Sequence, residues 1–386
     1  MNHKTMPIFL AFLIMGVADA MGPMSDAAKD EYQISQVTAM MLPFFVFIAF
    51  AVFSVPGGLL AARIGKKKLL LLGLGLNALA MLIPSVINPS FSLLLGCIFT
   101  LGIGTTFLQV AGNPIMRDVS REGNYSRNLS FAQGIKGLGS TISTYLVGAI
   151  AAIAVFESMG WRGVFPVFFV LMAVAFVWVV FMKIDEAKAD IPPSIGSSLS
   201  LLKKPVFSMA VLGIFLYVGA EVCLASTLRP QLRDVIGFAD AFANKFGPVL
   251  FLLLLTIGRL LGGVVLTKMS PRNFFRVSAG LGLLGGLLLM VGHKYLAIAG
   301  VVAAGLGFAN IWPMLFSITV EEDPKRANEL SGLMCMAISG GAIVPFIMGW
   351  CVDGGMGAMA FVVPAICFGY LLMLSLKGSP KTEAAA

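Results

Sequence analysis

Charge is the scarcest property of this sequence. Asp, Glu, Lys and Arg together make up 12% of its 386 residues, where a soluble domain carries about 25%. Water is therefore excluded as the main solvent of the folded chain. The five cysteines, Cys97, Cys223, Cys335, Cys351 and Cys367, include no C-x-x-C pair, so neither a disulfide framework nor a zinc site is indicated. No Walker loop, H-E-x-x-H or G-x-S-x-G occurs, which excludes the nucleotide, zinc-protease and serine-hydrolase chemistries those motifs carry. Ten-residue stretches of alternating polarity are also missing, and with them a membrane barrel.

Long apolar runs are what the sequence has instead, and 58% of the residues are hydrophobic. Each run is long enough to cross the roughly 30 Å hydrocarbon layer as a helix. The pattern predicts twelve spans, at 6–25, 36–62, 68–87, 90–116, 128–156, 164–182, 205–230, 245–267, 273–292, 295–319, 328–352 and 356–376. The first carries Asp19 and leads into Gly22-Pro23, which is unlike the small-x-small site of a cleavable signal peptide. One long polar connection, 183–204, divides the chain into an N-terminal six-helix bundle (1–182) and a C-terminal one (205–386).

The net charge of +8 comes from Lys and Arg placed in the short gaps between runs, so no nucleic-acid partner is expected. With the N-terminus inside, inner loops outnumber outer loops in positive charge by about threefold, the bias that fixes orientation in a bilayer. Both termini are expected to be cytoplasmic, and the chain is expected to be a monomer in a bacterial inner membrane.

The halves repeat weakly. Gly58 through Lys67 after the second span has a counterpart from Gly263 through Arg272 after the eighth. Asn113-Pro114 is echoed by Trp312-Pro313, and Asp19 by Glu221. The offsets are 205, 199 and 202 residues. Repeated six-span halves are typical of a carrier whose solute binds between two bundles near the bilayer midplane.

Four ionisable residues fall inside predicted spans: Asp19, Lys136, Glu221 and Arg259. Each costs roughly 2.5–3.5 kcal/mol to insert unless it is paired or wet. Asp19 is the nearest counter-charge for Lys136 in the same half, and the two together could gain and lose one proton as their surroundings change. They are the candidates for ion coupling. Arg259 lies near a span end and suits a gating or structural role; Glu221 suits either a solute contact or helix–helix bonding. Gln133 shares a helix face with Lys136. Gln109 and Asn113 are four apart before Pro114, and Asn310 and Trp312 precede Pro313. Amides with an indole face suit a sugar, whose hydroxyls need directed partners and whose ring packs on an aromatic surface. Gln109, Asn113, Gln133, Lys136, Glu221, Asn310 and Trp312 are thus the candidate solute contacts.

Gly58-Leu-Leu-Ala-Ala-Arg63-Ile-Gly65-Lys66-Lys67 resembles the loop motif after the second span of the major facilitator superfamily, with Ala62 where an acid is usual. Ser54-Val-Pro56-Gly57-Gly58, Ala111-Gly112-Asn113-Pro114, Asn128 through Gln133, Phe215 through Val222, Ile257-Gly258-Arg259 and Trp312-Pro313-x-x-Phe316-Ser317 are similar to the fucose–proton symporter group within it. The resemblance implies an all-α, twelve-helix fold of two pseudo-symmetric bundles, gating at Arg63, and symport of a sugar by alternating access. It implies no catalytic residue, cofactor or metal. Departures bear on coupling. Gln109 and Gly22 stand at the group's acidic positions, and Lys136 stands where the group has a neutral polar residue. Coupling through Asp19 and Lys136, binding of an acidic sugar at Lys136, and sodium coupling through Asp19 all stay open, with a proton preferred to sodium because the ammonium opposes a second cation. Proton-coupled export of a small metabolite or drug-like solute is the alternative within the fold, and a non-transporting membrane sensor is the alternative outside it.

Overall fold

A computed structural model of the chain describes residues 6–182 and 193–377. The first half of the expected linker (183–192) and both termini lie outside it. The described residues are helical almost throughout and follow the predicted order. The first span is broken: helix Met6–Met15 runs into a 3-10 turn, Gly16–Ala20, and then into Met21–Tyr32. The following ones are Met41–Ile64, Lys66–Val86, Phe91–Asp118, Tyr125–Ala149, Ala154–Phe181, Pro205–Val235, Asp240–Val265, Pro271–Met290, Lys294–Glu322, Pro324–Asp353 and Gly357–Leu376.

Ten of these are long and apolar enough to cross a bilayer, and the broken first makes an eleventh. The exception is the fifth, Tyr125–Ala149, which carries Ser126, Arg127, Asn128, Ser130, Gln133, Lys136, Ser140 and Thr141. Its length suffices; its polar residues hold its apolarity down, and Ser130, Gln133, Lys136 and Ser140 among them belong to the sites described below.

The break in the first span falls on Gly-Val-Ala-Asp-Ala, where Gly, Val and Asp are weak helix formers. The tenth span also differs from the uninterrupted 295–319 expected. Helix Lys294–Phe308 stops, Ala309 and Asn310 form a turn, and a second helix, Ile311–Glu322, follows. Pro313 explains it: proline has no N–H for the carbonyl four residues back, and its ring crowds that carbonyl. The carbonyl concerned is that of Ala309. The second span stops at Gly65, whose φ of 96° is cheap only for glycine.

The described chain falls into two compact units. The first comprises residues up to Arg121, Ile135–Ser198 and Arg326–Met336; the second comprises Glu122–Gly134, Leu199–Lys325 and the rest from Ala337. The fifth and eleventh spans are each divided, giving their first turns to one unit and their remainder to the other. Within the first unit Lys66 Nζ lies 2.5 Å from Asp118 Oδ2, both almost fully buried.

Candidate functional site

In the first unit the site is organised by a seam between the first and fifth spans. A methyl group at Gly16 would come within 2.4 Å of the Ser140 nitrogen, and one at Gly139 within 2.0 Å of the Leu13 carbonyl oxygen. The two backbones therefore touch with no side chain between them, as small residues allow in membranes. Asp19 sits one turn beyond Gly16, inside the 3-10 break. The seam delivers its carboxylate to Lys136 and Ser140, which share a face of the fifth span at i and i+4. Lys136 Nζ is 3.5 Å from Asp19 Oδ2, and Ser140 Oγ donates to the same oxygen at 2.5 Å. The side chain of Asp19 is 47% exposed and that of Lys136 16%. This is a half-exposed carboxylate, held from one side by a cation and a hydroxyl.

Gly139→Ala tests the seam. The added methyl would overlap the Leu13 carbonyl, which is backbone and cannot swing away. Overpacking of this kind costs about 1–3 kcal/mol. The expected result is a lower unfolding temperature and loss of transport together; wild-type stability in Gly139→Ala would show that the two helices do not meet there.

Gln109 and Asn113 are buried one turn apart on the fourth span, Phe91–Asp118. Asn113 Nδ2 reaches toward Cys335 Sγ at 4.0 Å. Pro114 deprives the Val110 carbonyl of its helical donor, and Ser331 Oγ takes its place at 2.9 Å. Arg63 is exposed in the last turn of the second span, and the buried ion pair of that loop belongs to Lys66 and Asp118 instead. Sequence reading passed over Asp118, although it is the one carboxylate in the fourth span.

In the second unit, Arg259 ties four elements together. Its Nη2 donates to Tyr217 Oη at 3.0 Å and to Glu221 Oε2 at 3.4 Å, both on the seventh span. Its Nε donates at 3.1 Å to the Ala309 carbonyl, the group that Pro313 leaves without a helical donor. The Arg259 side chain is 9% exposed and Glu221 22%. Asn310 Nδ2 donates to the Gly258 carbonyl at 2.7 Å. Ser130 Oγ, on the fifth span, lies 2.5 Å from Asn310 Oδ1 and 2.9 Å from the Arg259 carbonyl. Both ends of the Asn310 amide are thus occupied within the protein. Trp312 is buried and stacks on Phe316, with centroids 4.9 Å apart and planes at 19°. Gln133 is buried one turn beyond Ser130.

Tyr217, Ser130 and Ser331 were missed by sequence reading. Serine in a helix looks like filler, but a proline four residues after a carbonyl marks that carbonyl as needing a donor. Two such carbonyls, Val110 and Ala309, could have been named in advance.

Residues 8–345 match the Major Facilitator Superfamily. The chain belongs to that superfamily. Among curated proteins it is 28% identical over 362 residues to a glucose/galactose transporter of Brucella abortus, covering 91% of this chain and 88% of the other. It is 27% identical to a putative glucose/galactose transporter of Helicobacter pylori, covering 92% and 91%. Its fold is that of the crystallised Escherichia coli fucose:proton symporter, with a TM-score of 0.80 at 18% identity over 97% of this chain and 98% of that one. The twelve-helix facilitator fold accounts for the first and fifth spans as well as for the ten strongly apolar ones. The chain is a multi-pass membrane protein and not an enzyme.

Proposed function

We propose that this chain is a secondary active transporter that takes up a sugar together with a cation by alternating access, and that the cation is a proton. The observation that carries the reading is the Asp19 carboxylate, exposed in a helix break and held 3.5 Å from Lys136. Discontinuous membrane helices are where carriers of this architecture place their ion and solute sites. An ammonium group beside Asp19 opposes a bound sodium ion by like-charge repulsion, whereas a proton arriving at the carboxylate simply neutralises it. The relatives named as glucose/galactose transporters and the fucose:proton symporter of like fold support a neutral sugar and a proton.

Candidate sugar contacts are Gln109, Asn113 and Lys136 in the first unit, and Gln133, Glu221 and Trp312 in the second. Asn310 is assigned to holding the tenth span, since its amide is already committed. Arg259 holds the same break, and Arg63 is kept as a gating residue of the loop after the second span. The reading includes a bacterial inner-membrane location, cytoplasmic termini, a monomer, and a division into halves at 183–204.

The test is uptake of labelled D-glucose, D-galactose and L-fucose into proteoliposomes. An inside-alkaline pH gradient is expected to drive accumulation of at least one of them, and an imposed sodium gradient at uniform pH is not. Accumulation driven by sodium alone would overturn the choice of ion, and no uptake of any of the three under either gradient would overturn the reading as a sugar symporter.

A further inference from the structure

Among the prolines that lie inside helices, Pro114 and Pro313 are repeat mates. Pro114 and Pro313 are 199 residues apart, within the spread of the other repeat offsets. Each frees a carbonyl, Val110 in the fourth span and Ala309 in the tenth. Two serines meet the chain beside those carbonyls, and they are repeat mates as well: Leu129-Ser130 opens the fifth span and Leu330-Ser331 the eleventh, 201 residues apart. Ser331 donates directly to the Val110 carbonyl. Ser130 bonds the Asn310 side chain and the carbonyl of Arg259, whose own guanidinium occupies the Ala309 carbonyl.

The packing around each serine repeats too. In the first unit the eleventh span lies on the second, so that a methyl at Gly58 would come within 2.6 Å of the Asn328 carbonyl oxygen and 3.3 Å of Gly332 Cα. In the second unit the fifth span lies on the eighth. A methyl at Gly262 would come within 2.1 Å of Asn310 Oδ1 and 2.6 Å of Ser130 Oγ. At Gly263, the repeat mate of Gly58, the nearest atom is the Arg127 carbonyl oxygen at 3.5 Å, an ordinary contact. The first turns of the fifth span thus dock among second-half helices, and those of the eleventh among first-half helices, each entirely within one unit.

We infer that Ser130 and Ser331 are a symmetry-related pair of latches that position the chain in one transport state, and that both must release when it changes state. The inference rests on the alternating-access reading above but not on the sugar or the ion. A hydroxyl suits this task because it is satisfied by protein when closed and by water when open. Its net contribution is therefore small enough to be broken thermally during a transport cycle. The ends concerned lie beside Arg117, Arg121 and Arg127 in one case and Lys325 and Arg326 in the other, so on the positive-charge bias the latched side is the cytoplasmic one.

Cys335 is a native reporter. It is fully buried, one turn beyond Ser331 on the eleventh span. Its alkylation rate in inside-out vesicles, located by mass spectrometry of the labelled peptide, measures how often that side opens. Ser331→Ala and Ser130→Ala are each expected to raise the rate about fivefold, and the double variant about 25-fold, the effect of one and two ordinary hydrogen bonds. The Ser130 arm decides the matter, because Ser130 belongs to the other unit and a purely local role would leave Cys335 unchanged. Gly58→Ala and Gly262→Ala wedge the same two latches without removing a hydroxyl and should also raise the rate; Gly263→Ala has room and should not. Thermal unfolding of each variant identifies any that fails to fold, and the glycine variant of the same latch then replaces it. An unchanged Cys335 rate in Ser130→Ala and Gly262→Ala overturns the inference. Raised rates in a protein that carries none of the three sugars would preserve the latches and overturn the sugar reading.

Discussion

The Asp19→Asn protein is expected to equilibrate its sugar across a membrane without concentrating it. Asparagine keeps the shape of the side chain, and Ser140 can still donate to its oxygen. What is lost is the negative charge opposite Lys136, and with it the group that would take up the coupling proton. One charge moving through 100 mV is worth about 2.3 kcal/mol, which supports roughly fifty-fold accumulation. The internal-to-external ratio should fall from that order to about one, while exchange of labelled for unlabelled sugar continues. Lys136→Ala should show the same loss of accumulation. If both variants concentrate sugar as the wild type does, the coupling assignment is wrong, and exchange lost along with accumulation would place Asp19 in sugar binding.

The second large effect concerns Arg259. Arg259→Leu removes the donor to Tyr217, Glu221 and the Ala309 carbonyl at once. Removing one partner of a buried ion pair costs about 3–5 kcal/mol. Because Glu221 is 22% exposed and so only partly desolvated, the low end applies, about 3 kcal/mol. The stranded Ala309 carbonyl adds to this, since a buried polar group left without a partner costs about 1–3 kcal/mol. The unfolding midpoint in detergent should drop by at least ~5 °C. Arg259→Lys should recover little, because an ammonium cannot serve three acceptors in the geometry of a guanidinium fork. Adding Glu221→Gln to Arg259→Leu should recover part of the loss by removing the stranded charge. A midpoint for Arg259→Leu equal to that of the wild type would mean that the three bonds carry no weight.

The spans were legible in the sequence because hydropathy and loop charge are local quantities, set residue by residue by the two solvents. The kinship of the halves was legible because Asp19 and Glu221, and Pro114 and Pro313, recur at offsets of 202 and 199 residues. The distance between Asp19 and Lys136 was not. It depends on Gly16 and Gly139 bringing two backbones into contact, and a glycine in a membrane span reads the same whether or not a helix lies against it. Ser130, Ser331 and Tyr217 were invisible because their partners are backbone carbonyls, a side-chain amide or a guanidinium on other spans. The commitment of Asn310 to Gly258 and Ser130 was hidden likewise: composition marks an amide as useful without saying for what. The tenth-span break lay between the two cases, since Pro313 announces a lost bond but only the fold supplies Arg259 to replace it.

The polarity of the fifth helix has a consequence for biogenesis. A segment carrying Asn128, Gln133 and Lys136 gains little from lipid on leaving the translocon, because a charge near the bilayer centre costs roughly 2.5–3.5 kcal/mol. Its seam with the first span, already synthesised, supplies the partner that lipid does not. Nascent chains ending shortly after Ala149 should therefore hold this helix in the membrane only when the first span is intact, so that the seam that places Asp19 beside Lys136 would also complete insertion.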